Sequence, residues 1–242
     1  MQDFSKRGTA PELMDTEAVT FEDFRACLEQ LVQVNGLFFP YWPTLSFLDR
    51  LHKSGRLNTG RPISIADIGS GYGDALRRID RWAQKRGIPV DLQGVDMNPW
   101  SARAAGEVTG LDRPIRWISQ DLFDYQPDAG IDIVISSLFT HHLPDPQLAR
   151  FVAWMETTAR IGWFVNDLQR HPLPYYALKA GFTLTRRHRF VTHDGPVSVA
   201  NAFKRDDWLR TFDAAGLPRD AATVKAWVPF RLCVARVKDA PP

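Results

Sequence analysis

The chain has 242 residues, of which 44% are hydrophobic, and a formal net charge of +2. This length predicts one domain or one domain with a helical extension, and the apolar share suffices for a full core. The low charge argues against a nucleic-acid substrate. No apolar run reaches the ~18 residues of a membrane span, and the N-terminus lacks the apolar region of a secretory signal. Cys27 and Cys233 lack metal-ligand spacing, so we expect reduced thiols in a cytoplasmic protein.

Two helices are predicted ahead of the main domain, because apolar residues recur there at helical spacing. These residues are Phe21, Phe24, Leu28 and Leu31 in the first helix and Leu45, Leu48 and Leu51 in the second. We expect residues 1–60 to form an N-terminal helical cap and residues 61–242 to form the main domain. The sequence leaves a homodimer open.

From residue 62 onwards, apolar strand patterns alternate with amphipathic helix patterns. We expect strands at 63–68, 90–95, 115–118, 131–136 and 161–165, and a closing hairpin at 222–228 and 230–237. This alternation predicts an α/β fold, a doubly wound, mostly parallel, seven-stranded Rossmann-like sheet. Residues 170–203 interrupt the rhythm with a long aromatic and basic stretch, which we interpret as a lid or substrate-binding insertion.

A glycine-rich loop follows the first strand, in the sequence Asp67-Ile68-Gly69-Ser70-Gly71-Tyr72-Gly73-Asp74. Glycine allows positive φ and close approach of a ligand, and a helix N-terminus after the loop offers free N–H groups. The spacing G-x-G-x-G differs from the dinucleotide fingerprint G-x-G-x-x-G, and two carboxylates would repel a pyrophosphate. A ligand with an ammonium and a sulfonium group fits such a loop better.

Two further aspartates stand at predicted strand ends, where ligands of such sheets bind. Asp96 ends the second strand and is suited to accept hydrogen bonds from ribose hydroxyls, although it is also a candidate N-cap for the next helix. Asp121 follows the third strand and has an Asx turn as its alternative role. Asp74 is about as well suited to cap a helix as to contact a ligand.

The stretch 62–165, with its glycine loop, Asp96, and Asp121-Leu122, resembles the class I S-adenosylmethionine (SAM) methyltransferases. The resemblance implies SAM as cofactor, S-adenosylhomocysteine (SAH) as product, Asp96 on the ribose, Asp121 on the adenine amino group and Leu122 on its ring. The cofactor residues that we expect are Asp67, Gly69, Ser70, Gly71, Gly73, Asp74, Asp96, Met97, Asp121, Leu122 and Ser136. An NAD(P)-dependent oxidoreductase and a non-catalytic SAM-binding module remain alternatives.

The segment after the fourth strand, Ser136 to Pro144, lacks the Asn-Pro-Pro-Tyr type motif of nucleobase and glutamine methyltransferases. It resembles instead the small-molecule branch, which implies a phenolic or polyketide-like substrate of secondary metabolism methylated at oxygen, or alternatively carbon methylation of a quinone-type precursor. An oxygen nucleophile must lose a proton, for which histidine is the usual base. His142 is our first candidate, followed by His141 and His171, with His193 less favoured.

Two further groups have weaker signals. The basic run of Arg186, Arg187, His188 and Arg189 is more typical of a solvated face than of an anion site. An aromatic set suits either a substrate pocket or ordinary packing, and consists of Tyr41, Trp42, Tyr175 and Tyr176.

Overall fold

One mixed sheet organises the chain, whose computed structural model describes residues 2–17, 20–36, 41–110, 113–127, 129–184 and 189–239. The strands are β1 (Ile63–Ile68), β2 (Val90–Asp96), β3 (Ile115–Ser119), β4 (Ile131–Ser137), β5 (Ala159–Leu168), β6 (Thr223–Trp227) and β7 (Arg231–Val237). Their order is β3-β2-β1-β4-β5-β7-β6, and β7 is antiparallel to both of its neighbours. The predicted doubly wound, mostly parallel sheet is therefore confirmed.

Helices cover both faces of this sheet. They are α1 (Leu13–Thr16), α2 (Phe21–Gly36), α3 (Trp42–Lys53), α4 (Asp74–Gln84), α5 (Pro99–Thr109), α6 (Asp145–Thr158), α7 (Pro172–Leu184), α8 (Arg189–Asn201) and α9 (Arg205–Ala214). A short 3₁₀ helix, Thr140–His142, follows β4. No helix within the described ranges combines the length and the apolar character that a bilayer crossing requires.

The apolar runs of the sequence form strands because both of their faces are covered. All six residues of β1 are buried, as are the first six of β4, which is the pattern of central parallel strands. The order reverses between β1 and β4, since β2 continues on one side and β5 on the other. Ligands of such sheets bind outside the carboxyl ends of the strands at this switch point.

The second predicted N-terminal helix belongs to the layer that covers the sheet. Phe47 and Leu48 of α3 are fully buried, and the Phe47 ring stacks on Phe164 of β5 with 4.9 Å between centroids. The helix α3 thus closes the same core that the strands build. The division at residue 60 stays a prediction.

The stretch 170–203 is largely helical, contrary to the loop-like character that we expected of it. Helices α7 and α8 account for most of it, and they pack against each other. Pro196 lies inside α8, and a proline inside a helix hides the helical pattern from sequence reasoning. The stretch begins directly after β5, so it stands at the carboxyl edge of the sheet.

Residues 4–14, here called the N-terminal strap, run across that edge and are fastened to α8. The backbone N–H of Gly8 donates to the carbonyl of Ala200 at 2.9 Å, and the side-chain amide of Asn201 donates to the carbonyl of Ala10 at 2.9 Å. The Asp194 carboxylate accepts from the backbone N–H of Leu13 at 2.8 Å. The strap therefore lies over the strand ends where a ligand is expected.

Candidate active site

The three loop glycines all have positive φ but serve different purposes. A Cβ on Gly69 would lie 2.4 Å from the Phe139 ring, and one on Gly73 would lie 2.1 Å from Trp117. These two glycines allow aromatic rings to pack against the backbone. Gly71 has φ +49° and no atom within 4 Å of its would-be Cβ. The middle of the loop is thus the place where a ligand has room to approach the backbone.

Asp96 holds this loop from the neighbouring strand. Its carboxylate accepts from the backbone N–H of Gly71 at 2.8 Å and from that of Asn98 at 2.9 Å. Helix α5 is capped by Asn98, whose side chain accepts from the Trp100 N–H at 2.9 Å, so the N-cap alternative for Asp96 was wrong. Burial raises the pKa of Asp96 despite these hydrogen bonds. The carboxylate thus ties the glycine loop to the start of α5.

Two more carboxylates flank the loop with oxygens that lack a partner within the described part of the chain. Asp67 Oδ1 and Asp74 Oδ2 are buried and accept no hydrogen bond there. Burial, with the nearby Asp96 charge, raises the pKa of Asp67 to about 8, and burial also raises the pKa of Asp74. Gly73, not Asp74, is the N-cap of α4. Unpaired buried acceptors are costly, so this region suits a cationic ligand such as an ammonium group.

The remaining predicted cofactor residues surround the same strand ends. Ser136 donates to the carbonyl of Ile68 at 2.9 Å and so ties β4 to β1, while Ser70 is buried within the loop. Asp121 is exposed and accepts from the Phe123 N–H at 2.8 Å, which is the Asx-turn geometry that we considered as its alternative role.

Leu122 and Met97 differ in their surroundings. Leu122 is buried in the hydrophobic core that contains β4 and β5, whereas Met97 is 71% exposed at the end of β2. An exposed thioether at a strand end is available to cover a bound ligand. The assignment of these two residues to the cofactor stays a prediction.

His141 is fixed between two carboxylates. Its Nδ1 lies 2.7 Å from Asp167 Oδ1, and its Nε2 lies 3.5 Å from Glu12 Oε1. Burial opposes the imidazolium, but Asp167 and Glu12 outweigh that effect and raise the pKa of His141 to about 10. The same pairing lowers the pKa of Asp167 to about 2, against its burial. A histidine that is already protonated is a poor general base at neutral pH.

His142 occupies the position that we expected of a base at the end of β4. Its ring stacks near Phe139, with 6.5 Å between centroids, and Phe139 in turn packs on Gly69 of the cofactor loop. Its Nε2 lies 3.9 Å from Glu12 Oε2, and its side chain is 23% exposed. His142 is therefore the histidine that links the glycine loop with the strap.

The other two histidines have different partners. His171 is exposed, accepts from the Leu173 N–H at 3.1 Å and lies beside the Phe230 ring. His193 lies on α8 and pairs with Asp194 at 2.8 Å. Neither contact involves the loop or His142, so the structure gives no support to His171 as a base.

Known proteins agree with this geometry. Residues 65–162 match the family model described as a methyltransferase domain, a range that includes the glycine loop, Asp96 and both adjacent histidines. Residues 65–162 are therefore a methyltransferase domain. The unpaired carboxylates described above suit the cationic groups of SAM.

Solved structures share the fold of this methyltransferase. The plantazolicin methyltransferase BpumL in complex with SAH has a TM-score of 0.60 at 14% identity, with 90% of this chain and 96% of that chain covered. Magnesium protoporphyrin IX methyltransferase (ChlM) from Synechocystis PCC 6803 with bound SAH has a TM-score of 0.52 at 15% identity, with 92% and 89% covered. A putative O-methyltransferase from Nostoc punctiforme PCC 73102 has a TM-score of 0.52 at 15% identity, with 74% and 53% covered. No curated protein matches the chain significantly.

Glu12 is the site residue that sequence reasoning missed. It comes from the strap, yet it is only 6% exposed, and its carboxylate accepts from the Ser198 hydroxyl at 2.6 Å. Burial opposes its charge, but His141, His142 and Ser198 outweigh that effect and lower its pKa. An acidic residue in an irregular N-terminal segment gives no sequence signal, because its partners are distant along the chain.

The predicted aromatic set is divided, and of the predicted basic run only Arg189 can be described. Arg186, Arg187 and His188 lie outside the described residues, and Arg189 pairs with Glu17. The four aromatic residues divide between two places. Tyr175 and Tyr176 pack edge-on against Phe4 of the strap, Tyr41 lies under the guanidinium of Arg78, and Trp42 is 65% exposed. The two tyrosines of α7 thus remain candidates for the wall of a substrate pocket.

Proposed function

We propose that this chain is a SAM-dependent methyltransferase that methylates an oxygen atom of a small phenolic or polyketide-like molecule. The single observation that supports this is the position of the partly exposed His142, which lies between Phe139, a ring packed on the glycine loop, and Glu12. A proton-accepting side chain at this place is what an oxygen nucleophile requires. A carbon nucleophile on an electron-rich ring needs less help, so carbon methylation of a quinone-type precursor is the second choice.

The cofactor would be held by residues at the ends of β1, β2 and β3. We assign the ribose hydroxyls to Asp96, the ammonium end to Asp67 and Asp74, and the adenine amino group to Asp121. The open space at Gly71 leaves room for the cofactor against the backbone. SAM supplies a methyl group that is already activated by its sulfonium, so the protein must mainly align the acceptor and exclude water.

The protein's own contribution is to fix the acceptor and take its proton. His142 Nε2 is the proton acceptor in this proposal, and Glu12 stabilises the imidazolium that forms, because the two side chains are 3.9 Å apart. His141 is held between Asp167 and Glu12 and keeps the Glu12 carboxylate in place. The strap and helix α7, with Tyr175 and its neighbour, are the surfaces from which we expect the substrate pocket to be built.

The test combines a substrate screen with one variant. The protein is incubated with SAM and a panel of phenols, hydroxyquinones and polyketide-like enols, SAH is quantified by mass spectrometry, and the product is examined by NMR. We expect a methyl ether rather than a ring methyl. His142→Gln should lower kcat by about 10²-fold or more, the usual contribution of a general base, with SAH affinity retained. His193→Gln is the matched control and should have wild-type kcat.

Two results would contradict the proposal. A ring methyl in the product, found together with full activity of His142→Gln, would favour carbon methylation. Turnover of a peptide and of none of the small molecules would show that the acceptor class is wrong, although the SAM-dependent activity would stand.

A further inference from the structure

Three potential metal ligands meet where the strap crosses the end of β4. They are Glu12, His141 and His142, and one donor atom from each lies within 4.8 Å of the other two. Two contacts are known individually, 3.5 Å from Glu12 Oε1 to His141 Nε2 and 3.9 Å from Glu12 Oε2 to His142 Nε2. Ligands bound at about 2.0–2.2 Å around one ion have separations of this size.

The ligands are also supported in the way that metal sites require. A histidine that binds a metal almost always donates its other ring N–H to a carboxylate or carbonyl, which fixes its orientation. Here the Nδ1 of His141 lies 2.7 Å from Asp167, and Asp167 is held in turn by the Thr140 hydroxyl and by the backbone N–H of His141. Glu12 is likewise held by the Ser198 hydroxyl at 2.6 Å. The site is therefore built beyond its three ligands.

The charge balance favours a cation. Two carboxylates, Glu12 and Asp167, are buried here around the imidazole of His141. The buried guanidinium of Arg231 interacts electrostatically with Asp167, so Glu12 is the carboxylate whose charge a cation would balance. A buried carboxylate is stable only when it is paired or coordinates a metal. An ion at the three donors replaces the proton between His141 and Glu12, while the proton between His141 and Asp167 stays in place. Arg7 lies close by, but its guanidinium donates to the carbonyl oxygens of His141 and Leu143.

We infer that Glu12, His141 and His142 bind one divalent transition-metal ion, with Zn²⁺ or Fe²⁺ as the best fit. Imidazole nitrogen suits these ions, whereas Mg²⁺ prefers an all-oxygen environment. Two histidines and one carboxylate leave coordination positions open, which is the arrangement of catalytic rather than structural sites. His142 is the most exposed of the three ligands, and its ring lies near Phe139, which packs on the glycine loop.

The role of the ion in catalysis rests on the proposed function. A hydroxyl oxygen bound to the ion is a stronger acid than the free hydroxyl and releases its proton to water at neutral pH. The resulting oxygen anion forms a bond to the methyl carbon while the carbon–sulfur bond breaks, and its electron pair stays on sulfur to give SAH. In the metal-loaded enzyme the ion thus promotes the deprotonation for which His142 Nε2 is the proton acceptor in the metal-free enzyme.

Metal binding is tested directly and without reference to activity. Chelator-treated full-length protein is titrated calorimetrically with Zn²⁺, Mn²⁺ and Mg²⁺, and with Co²⁺ while its visible absorption is recorded. We expect one Zn²⁺ per chain, a Co²⁺ spectrum of low coordination number, and much weaker binding of Mg²⁺. Glu12→Gln should lower Zn²⁺ affinity at least 100-fold, and Asp167→Asn about 10- to 100-fold. His193→Gln is the control and should bind as wild type does.

Folding of each variant is checked by its SAH affinity and thermal midpoint. The inference would be overturned if wild-type protein bound no Zn²⁺, or if His193→Gln lost as much Zn²⁺ affinity as Glu12→Gln does. Unchanged Zn²⁺ affinity in a folded Glu12→Gln protein would overturn it as well. If Zn²⁺ binds at this site but no methyl ether is formed from any acceptor, the proposed function fails and the metal site stands. If methyl ethers form equally well in chelated protein that binds no metal, the metal inference fails and the proposed function stands.

Discussion

Asp67→Asn is the change whose consequence can be worked out most fully from the structure. Asp67 is completely buried at the end of β1, its Oδ1 has no partner in the described part of the chain, and its pKa is raised from 3.8 to about 8 by burial and by Asp96. The folded protein therefore holds a proton on this carboxyl at neutral pH, whereas the unfolded chain has lost it. Asparagine has the same shape but does not titrate.

The sign of the effect follows from proton linkage. Between pH 4 and pH 8 the folded state binds one proton more than the unfolded state at Asp67, so this group lowers the free energy of unfolding as the pH rises. Each pH unit costs about 1.4 kcal/mol inside that window, so the change from pH 5 to pH 7 costs about 2.7 kcal/mol. Asp67→Asn lacks this decrease in the free energy of unfolding. The other titrating groups contribute equally to the pH dependence of both proteins, so they cancel in the comparison.

The assay is urea denaturation of both proteins at pH 5, 6 and 7 without ligand. We expect the stability difference, variant minus wild type, to increase by about 2.7 kcal/mol across this range, since the linkage slope is about 1.4 kcal/mol per pH unit. SAH affinity of the variant should fall, because the carboxylate that would face the ammonium is gone. Parallel pH profiles for the two proteins would refute the reasoning, since they would show that Asp67 is already ionised in the ligand-free fold.

Three further changes separate the parts of the site. Asp96→Ala should weaken SAH binding by at least 10-fold, measured by calorimetry, because hydrogen bonds to a charged group are each worth about 1.5–3 kcal/mol. Gly71→Ala and Gly87→Ala introduce the same positive-φ strain, and no atom lies within 4 Å of either new Cβ. Both variants should lose about 1 kcal/mol of stability, but only Gly71→Ala should lose SAH affinity. Equal SAH affinities of the two variants would contradict a cofactor at the loop. Arg7→Ala removes strap contacts to the backbone of the 3₁₀ helix and should lower kcat more than it changes SAH affinity. Unchanged turnover in a folded Arg7→Ala protein would show that the strap is not part of the site.

The sequence predicted the sheet and the position of Asp96 beside the glycine loop because both depend on local patterns. Buried parallel strands are continuous apolar runs, and β4 is one of them. A carboxylate that ends such a strand must lie at the carboxyl edge, which placed Asp96 correctly beside the loop. The glycine spacing likewise predicts positive φ in a local turn, and Gly69 and Gly73 both have it.

The substrate side could not be predicted in the same way. Glu12 is 186 residues away from the Ser198 hydroxyl that holds it, and no periodicity connects the two. The adjacent histidines His141 and His142 look equivalent in the sequence, yet one is sealed between carboxylates and the other lies beside Phe139. Only the packing of the strap distinguishes them.

The strap is part of the folded core rather than a cover added to it. Arg170, which is 2% exposed, donates to the carbonyl of Phe4, to that of Ala202 at 2.6 Å and to the Asp207 carboxylate at 2.8 Å. If the strap opened, this guanidinium would lose the Phe4 carbonyl but keep Ala202 and Asp207 as acceptors. This contact and the hydrogen bonds to α8 hold the strap in place, so Glu12 is presented to both histidines before any substrate arrives. Preorganisation of this kind lets binding energy be used for alignment of the acceptor rather than for assembly of the site.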